Sequence, residues 1–63
     1  MKESELFHEK ITNARTLLES AGWRGGSGHI DKAHSYILMA ETEIKEAKAI
    51  LRREIKERAR RAA

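Results

Sequence analysis

Cysteine and proline are absent from this 63-residue chain, and phenylalanine, tyrosine and tryptophan occur once each. Without cysteine there are no disulfides and no thiolate metal sites, and the redox compartment goes unmarked. The lack of proline, with only four glycines, is the composition of long helices rather than of strands and tight turns. Long apolar runs are missing too. The longest, Tyr36–Ala40, has five residues, against the ~20 that a bilayer span requires. The opening residues Lys2, Glu3, Ser4 and Glu5 lack the basic and apolar regions of a signal peptide, so a soluble, cytoplasmic protein with no membrane contact is expected. Length itself is in short supply. A chain of this size forms a single domain, residues 1–63, and buries only about 60% of its unfolded surface, so a staple or a partner is expected.

What is present is charge and period. Charged residues make up 37% of the chain, yet the 40% that are apolar are clustered and regularly spaced, which argues against disorder. The net charge of +3 is unevenly placed. Residues 1–51 hold seven Lys/Arg and eight Asp/Glu, a net of −1, whereas residues 52–63 hold six against two, a net of +4.

The spacing predicts an all-α, two-helix antiparallel hairpin. In the second helix Ile30, Ala33, Ile37, Ala40, Ile44, Ala47 and Leu51 step 3, 4, 3, 4, 3, 4, the 3.5-residue repeat of an antiparallel coiled-coil seam. In the first, Phe7, Ile11, Ala14, Leu18 and Ala21 step 4, 3, 4, 3. The first helix is read as residues 3–21, with Ser4 as its N-cap and Gly22 as the left-handed residue that ends it. A Gly-rich loop follows at 22–28. Its run Gly25-Gly26-Ser27-Gly28 has the composition of an engineered linker, as though a natural loop had been replaced. The second helix is read as 29–61, capped by Ser27 or Asp31. At 1.5 Å per residue the helices are about 28 and 48 Å long, so the first runs out near Leu51. The second seam fails at the same level, on Glu54 and Arg58, leaving 52–63 as a basic extension.

One hairpin does not cover all of this apolar surface. Alanines at alternate seam positions let the helices approach closely, but a close pair covers only a narrow strip. Leu6, Leu17, Tyr36, Leu38, Met39 and Ile50 fall off that strip and are read as a self-association surface. Two hairpins packed as a four-helix bundle, a homodimer, would bury it.

Residues able to carry chemistry are few. Glu5-x-x-His8 is similar in outline to the ligand spacing of the encapsulated ferritins, in which a further Glu, here Glu43 or Glu46, would complete an iron site. Phe7 in the seam puts both residues on its flank. Arg24 and His29 have the Arg-x4-His spacing that resembles HEPN-type ribonucleases, but here the spacing is filled by Gly-Gly-Ser-Gly, which holds neither side chain in place. Trp23-Arg24-Gly25 resembles the Trp-x-Gly turn of the WXG100 hairpins over three residues. The plainer reading has Trp23 cap the end of the bundle over Ala21 and Ile30. No phosphate loop, nucleophile–base pair or cofactor motif is present, so no enzyme activity, cofactor or metal is expected.

The extension is the remaining candidate site. Arg52, Arg53, Lys56, Arg58, Arg60 and Arg61 could neutralise phosphates, or meet an acidic protein partner. Hairpin dimers of the Rop type, which bind paired RNA loops, offer a fold-level likeness. Basic residues at a helix C-terminus also complement the helix dipole. Two functions follow as expectations: a non-enzymatic, self-associating interaction or scaffold module, and an RNA- or DNA-binding regulator working through the extension.

Overall fold

The computed structural model describes residues 2–62, with side chains from Ser4 to Ala62. Two helices, α1 (Lys2–Gly26) and α2 (Ile30–Ala62), fold back on each other across a three-residue turn. The molecule measures 53 × 17 × 11 Å. Its long axis is the length of α2, since 33 helical residues at 1.5 Å each give about 50 Å. The helical hairpin expected from the spacing is present.

The turn lies later than the glycines suggest. α1 does not stop at Gly22 but runs through Trp23, Arg24, Gly25 and Gly26. The residue in the left-handed region is Gly28, with φ of 83°. Around it the Gly28 N–H donates to the Gly25 carbonyl at 3.1 Å and the His29 N–H to the Arg24 carbonyl at 2.8 Å. That pairing, one bond spanning six residues around one spanning four, is the glycine-terminated helix end that satisfies the last carbonyls. Ser27 completes it, its N–H and Oγ both donating to the Trp23 carbonyl at 3.1 and 2.8 Å. Ser27 therefore closes α1 and does not cap α2. The first carbonyl of the second ladder belongs to His29, which accepts from the Ala33 N–H at 3.0 Å. Ser4, expected as an N-cap, lies inside α1. A glycine in mid-helix costs about 1 kcal/mol relative to alanine. Gly25 faces α2, where an added Cβ would make an ordinary van der Waals contact with the Ala33 Cβ at 3.8 Å.

The longer α1 also shifts the end of the packed region. Glu54 is still half-buried, whereas every residue from Ile55 to Ala62 is exposed. The part of α2 without a neighbour thus begins near Ile55, about one turn beyond the expected Arg52.

Between the helices the alanines do what their spacing predicts. Ala14, Ala21, Ala40 and Ala47 are buried, and Ala33 is half-buried against Gly25. Their larger companions are not the expected ones. The half-buried or buried positions of α2 are Ala33, Tyr36, Ala40, Glu43, Ala47, Ile50 and Glu54, and those of α1 include Phe7, Lys10, Ala14, Leu17 and Ala21. Ile37, Ile44 and Leu51, expected in the seam, are exposed, as are Ile11 and Leu18, while Ile50, expected outside it, is only 5% exposed. Each helix is turned about its axis by roughly 50°, half the 100° between successive residues. The turn brings Lys10 to face Glu43 and Glu46. The Lys10 Nζ lies 3.3 Å from Glu43 Oε2 and 2.9 Å from Glu46 Oε1, and in the opposite rotation that lysine would point away from both acids. Residues Gly25–Ala33 and Lys10–Glu46 set the register. It places Ala21 near the level of Tyr36, Leu17 near Ala40 and Phe7 near Ile50, small against large in most layers.

Candidate functional site

The rotation leaves a row of aliphatic side chains exposed on one side of the hairpin. Ile11 and Leu18 each follow a seam residue of α1 by one position, and Ile37, Ile44 and Leu51 do the same in α2. Because the chain reverses direction between the helices, an equal turn of each carries both sets to the same side of the hairpin. The result is a continuous aliphatic face in which these five side chains are 38–45% exposed, floored by the alanine line. Ile30 and Ile55 extend the α2 row at its two ends, and each is 66% exposed. Isolated apolar residues are ordinary on a protein surface, whereas large contiguous apolar patches are uncommon.

The residues expected to self-associate fall into two groups. Ile50 is buried within the hairpin, and Leu17 and Tyr36 are half-buried between the helices. Leu6, Leu38 and Met39 are 39–50% exposed, but they lie away from the aliphatic face. The structure therefore does not bring the six together into one patch. The signal for the aliphatic face was present in the sequence as the same Ile/Leu row, assigned there to the neighbouring helix.

The other side of the hairpin carries the ion pairs between the helices. Lys10 is held between Glu43 and Glu46 with its side chain 22% exposed. The hydrogen bond to Glu46 holds the Lys10 ammonium above its ordinary pKa; burial pulls the other way, and Glu43 adds to the rise. Glu43 Oε2 is buried and makes no aligned hydrogen bond, so the cation 3.3 Å away is its compensation. An open groove of about 510 Å³ beside this triad is lined by Asn13, Thr16, Leu17, Met39, Thr42 and Glu43. Towards the turn a second groove of about 530 Å³ has Trp23, Arg24 and Tyr36 on its wall. Trp23 is 79% exposed and does not cap the end of the hairpin. It sits in helix, not in a turn, because α1 continues past it.

Neither the metal nor the nuclease spacing is assembled. Glu43 and Glu46 are committed to Lys10, and no cluster of three or more His, Cys, Asp or Glu able to hold a metal occurs among the described residues. Arg24 and His29 are both exposed, joined only through the main-chain hydrogen bond of the turn.

On the extension, Arg52, Arg53, Lys56, Arg58, Arg60 and Arg61 are all exposed. Arg58 pairs with Glu54 at 3.8 Å and Arg61 with Glu57 at 3.4 Å, one turn apart on the same helix. Among the described residues Arg52, Arg53, Lys56 and Arg60 form no ion pair. The helix period gathers these four on the side of α2 turned away from α1.

Fold and surface together define an antiparallel helical hairpin with an exposed aliphatic face among the described residues. No protein-family model, curated protein or solved structure matches the chain. No helix among the described residues is long and apolar enough to cross a membrane.

Proposed function

We propose that the chain is a non-enzymatic interaction or scaffold module that associates with a second copy of itself through the aliphatic face, two hairpins forming a four-helix bundle. One observation carries this reading: Ile11, Leu18, Ile37, Ile44 and Leu51 share one side of the hairpin while remaining 38–45% exposed. Fully burying such a side chain is worth about 1.5–3 kcal/mol, so covering the exposed part yields about 0.6–1.2 each. Ten of them in a two-fold pair contribute about 6–12 kcal/mol, on the scale of the ~4–15 kcal/mol lost on association. The two terms nearly cancel, so a weak dimer that forms only as concentration rises is expected. Sedimentation equilibrium over a dilution series tests it, and a folded hairpin that stays monomeric at the top of the series refutes it.

The extension supports a second reading, a regulator that binds the phosphate backbone of RNA or DNA. Its supporting observation is the row of four cations without ion pairs, Arg52, Arg53, Lys56 and Arg60. Affinity from such contacts falls steeply with salt. A gel-shift series at two salt concentrations decides, and binding indifferent to salt, or none, removes this reading.

A further inference from the structure

We infer that the two copies meet helix α2 on helix α2, antiparallel about a two-fold axis near Ile44, with their turns at opposite ends of the bundle. This rests on the self-association proposed above and specifies its geometry. A two-fold interface must be self-complementary, with residue i of one copy against residue j of the other and the reverse. The aliphatic row of α2 has that property about Ile44. Ile37 and Leu51 lie seven residues to either side, so each meets the other across the axis while Ile44 meets its own counterpart. Glu41 and Lys48 flank Ile44 by three and four residues and lie along the same edge of the row. Both are exposed, and neither forms an ion pair within the hairpin among the described residues. About this axis the Glu41 of one copy stands beside the Lys48 of the other, twice over.

The competing arrangement stacks α2 on the partner's α1 with both turns at one end. There the five aliphatic residues of α2, from Ile30 to Ile55, face only Ile11 and Leu18 of α1. Ile30 then lies over the partner's turn, and Ile55 lies beyond the level that α1 covers. Arg15 would be the only basic residue of α1 near Glu41, and it is already 3.6 Å from Glu19 on its own helix. Both extensions, each carrying +4 over residues 52–63, would project side by side. The α2-on-α2 arrangement instead sends them to opposite ends. Each then runs along the partner's Ile30 end, which brings Ile55 under cover and separates the like charges.

The absence of cysteine makes the test clean, because a single introduced cysteine takes a spin label without competition. Arg60→Cys lies sixteen residues from Ile44, so at 1.5 Å per residue the two labels of an α2-on-α2 dimer are about 48 Å apart along the bundle, against roughly 20 Å, two helix diameters, when the turns share an end. Electron–electron distance measurement at a concentration where sedimentation shows the dimer reads this directly. The companion experiment reverses charge. Glu41→Lys and Lys48→Glu are each expected to weaken the dimer several-fold, and the double swap to restore it. The long distance with restoration supports the inference. A dimer with the short distance, or one that the double swap fails to restore, overturns this geometry and leaves self-association standing. A monomer overturns both.

Discussion

Replacing Ile44 by alanine is the perturbation that separates an association surface from a folding core. The side chain is 40% exposed in the free hairpin, so the variant loses the covered three-fifths, about 1.4 kcal/mol, from hairpin stability and the exposed two-fifths from association. The change removes three carbons, worth about 0.8 kcal/mol each when fully buried, or about 2.4 in all. Covering the exposed two-fifths on dimerisation accounts for about 1 kcal/mol per copy and about 2 kcal/mol per dimer, a rise of roughly 30-fold in dissociation constant. The assay is sedimentation equilibrium of the native chain and the variant over the same dilution series. Circular dichroism at each concentration reports helix content. The control is Ile50→Ala on the opposite flank of the same helix. Ile50 is 5% exposed, and truncating it is expected to cost about 2–5 kcal/mol of hairpin stability. If Ile44→Ala leaves the association constant unchanged while Ile50→Ala weakens it at full helicity, the assignment of the two faces is wrong.

The glycines of α1 and of the turn respond in opposite senses. Gly22 is helical with open space where a Cβ would stand, so Gly22→Ala is expected to stabilise the hairpin by up to about 1 kcal/mol. Gly28→Ala, at φ of 83°, is expected to cost about 1 kcal/mol or more; thermal melts of the two variants check the pair. Lys10 supplies a pH dependence. The folded state holds its ammonium above the ordinary value of 10.5, so the triad's contribution is complete below that pH and is lost as pH rises through the raised value. Lys10→Met, which keeps the aliphatic stem but strands Glu43, is expected to be less stable than the native chain at neutral pH, with the gap closing in strong alkali; denaturant melts on either side of the lysine range measure it. If the extension binds nucleic acid through its four cations without ion pairs, the logarithm of affinity falls against that of salt with a slope of about −3 to −4. Replacing Arg52 and Arg53 by glutamine lowers the slope by about 2 without altering dimerisation.

The two helices, their antiparallel packing and the alanine line were legible because period and residue size act locally. Alanine every seventh residue at 33, 40 and 47, answered by 14 and 21, permits close approach whichever neighbours accompany it. Which neighbours do so was not legible. The row Ile37, Ile44, Leu51 and the row Tyr36, Glu43, Ile50 both flank the alanines at coiled-coil spacing. Hydrophobicity favours the first for the hairpin interior, and the structure places the second there. With the second row inside, Lys10 reaches Glu43 and Glu46, a contact between residues more than thirty positions apart that no local pattern announces. The helix end was misplaced for a related reason. Gly22, Gly25, Gly26 and Gly28 are equal candidates for a left-handed residue, and only Gly28 puts the Arg24 and Gly25 carbonyls within reach of free N–H groups. Of the expected surface of Leu6, Leu17, Tyr36, Leu38, Met39 and Ile50, the exchange of rows draws Leu17, Tyr36 and Ile50 towards the hairpin interior and leaves Ile11, Leu18, Ile37, Ile44 and Leu51 exposed together. The basic extension kept its residues, but its uncovered part starts one turn later because α1 is longer.

If a second copy of the chain covers the aliphatic face, mass rises with concentration. The most direct test is the weight-average mass of the native protein by sedimentation equilibrium as concentration rises, with helix content followed in parallel. The mass is expected to climb from 7.2 kDa to twice that value and stop, with helicity high throughout. A helical chain whose mass stays at the monomer value through the highest concentration contradicts it.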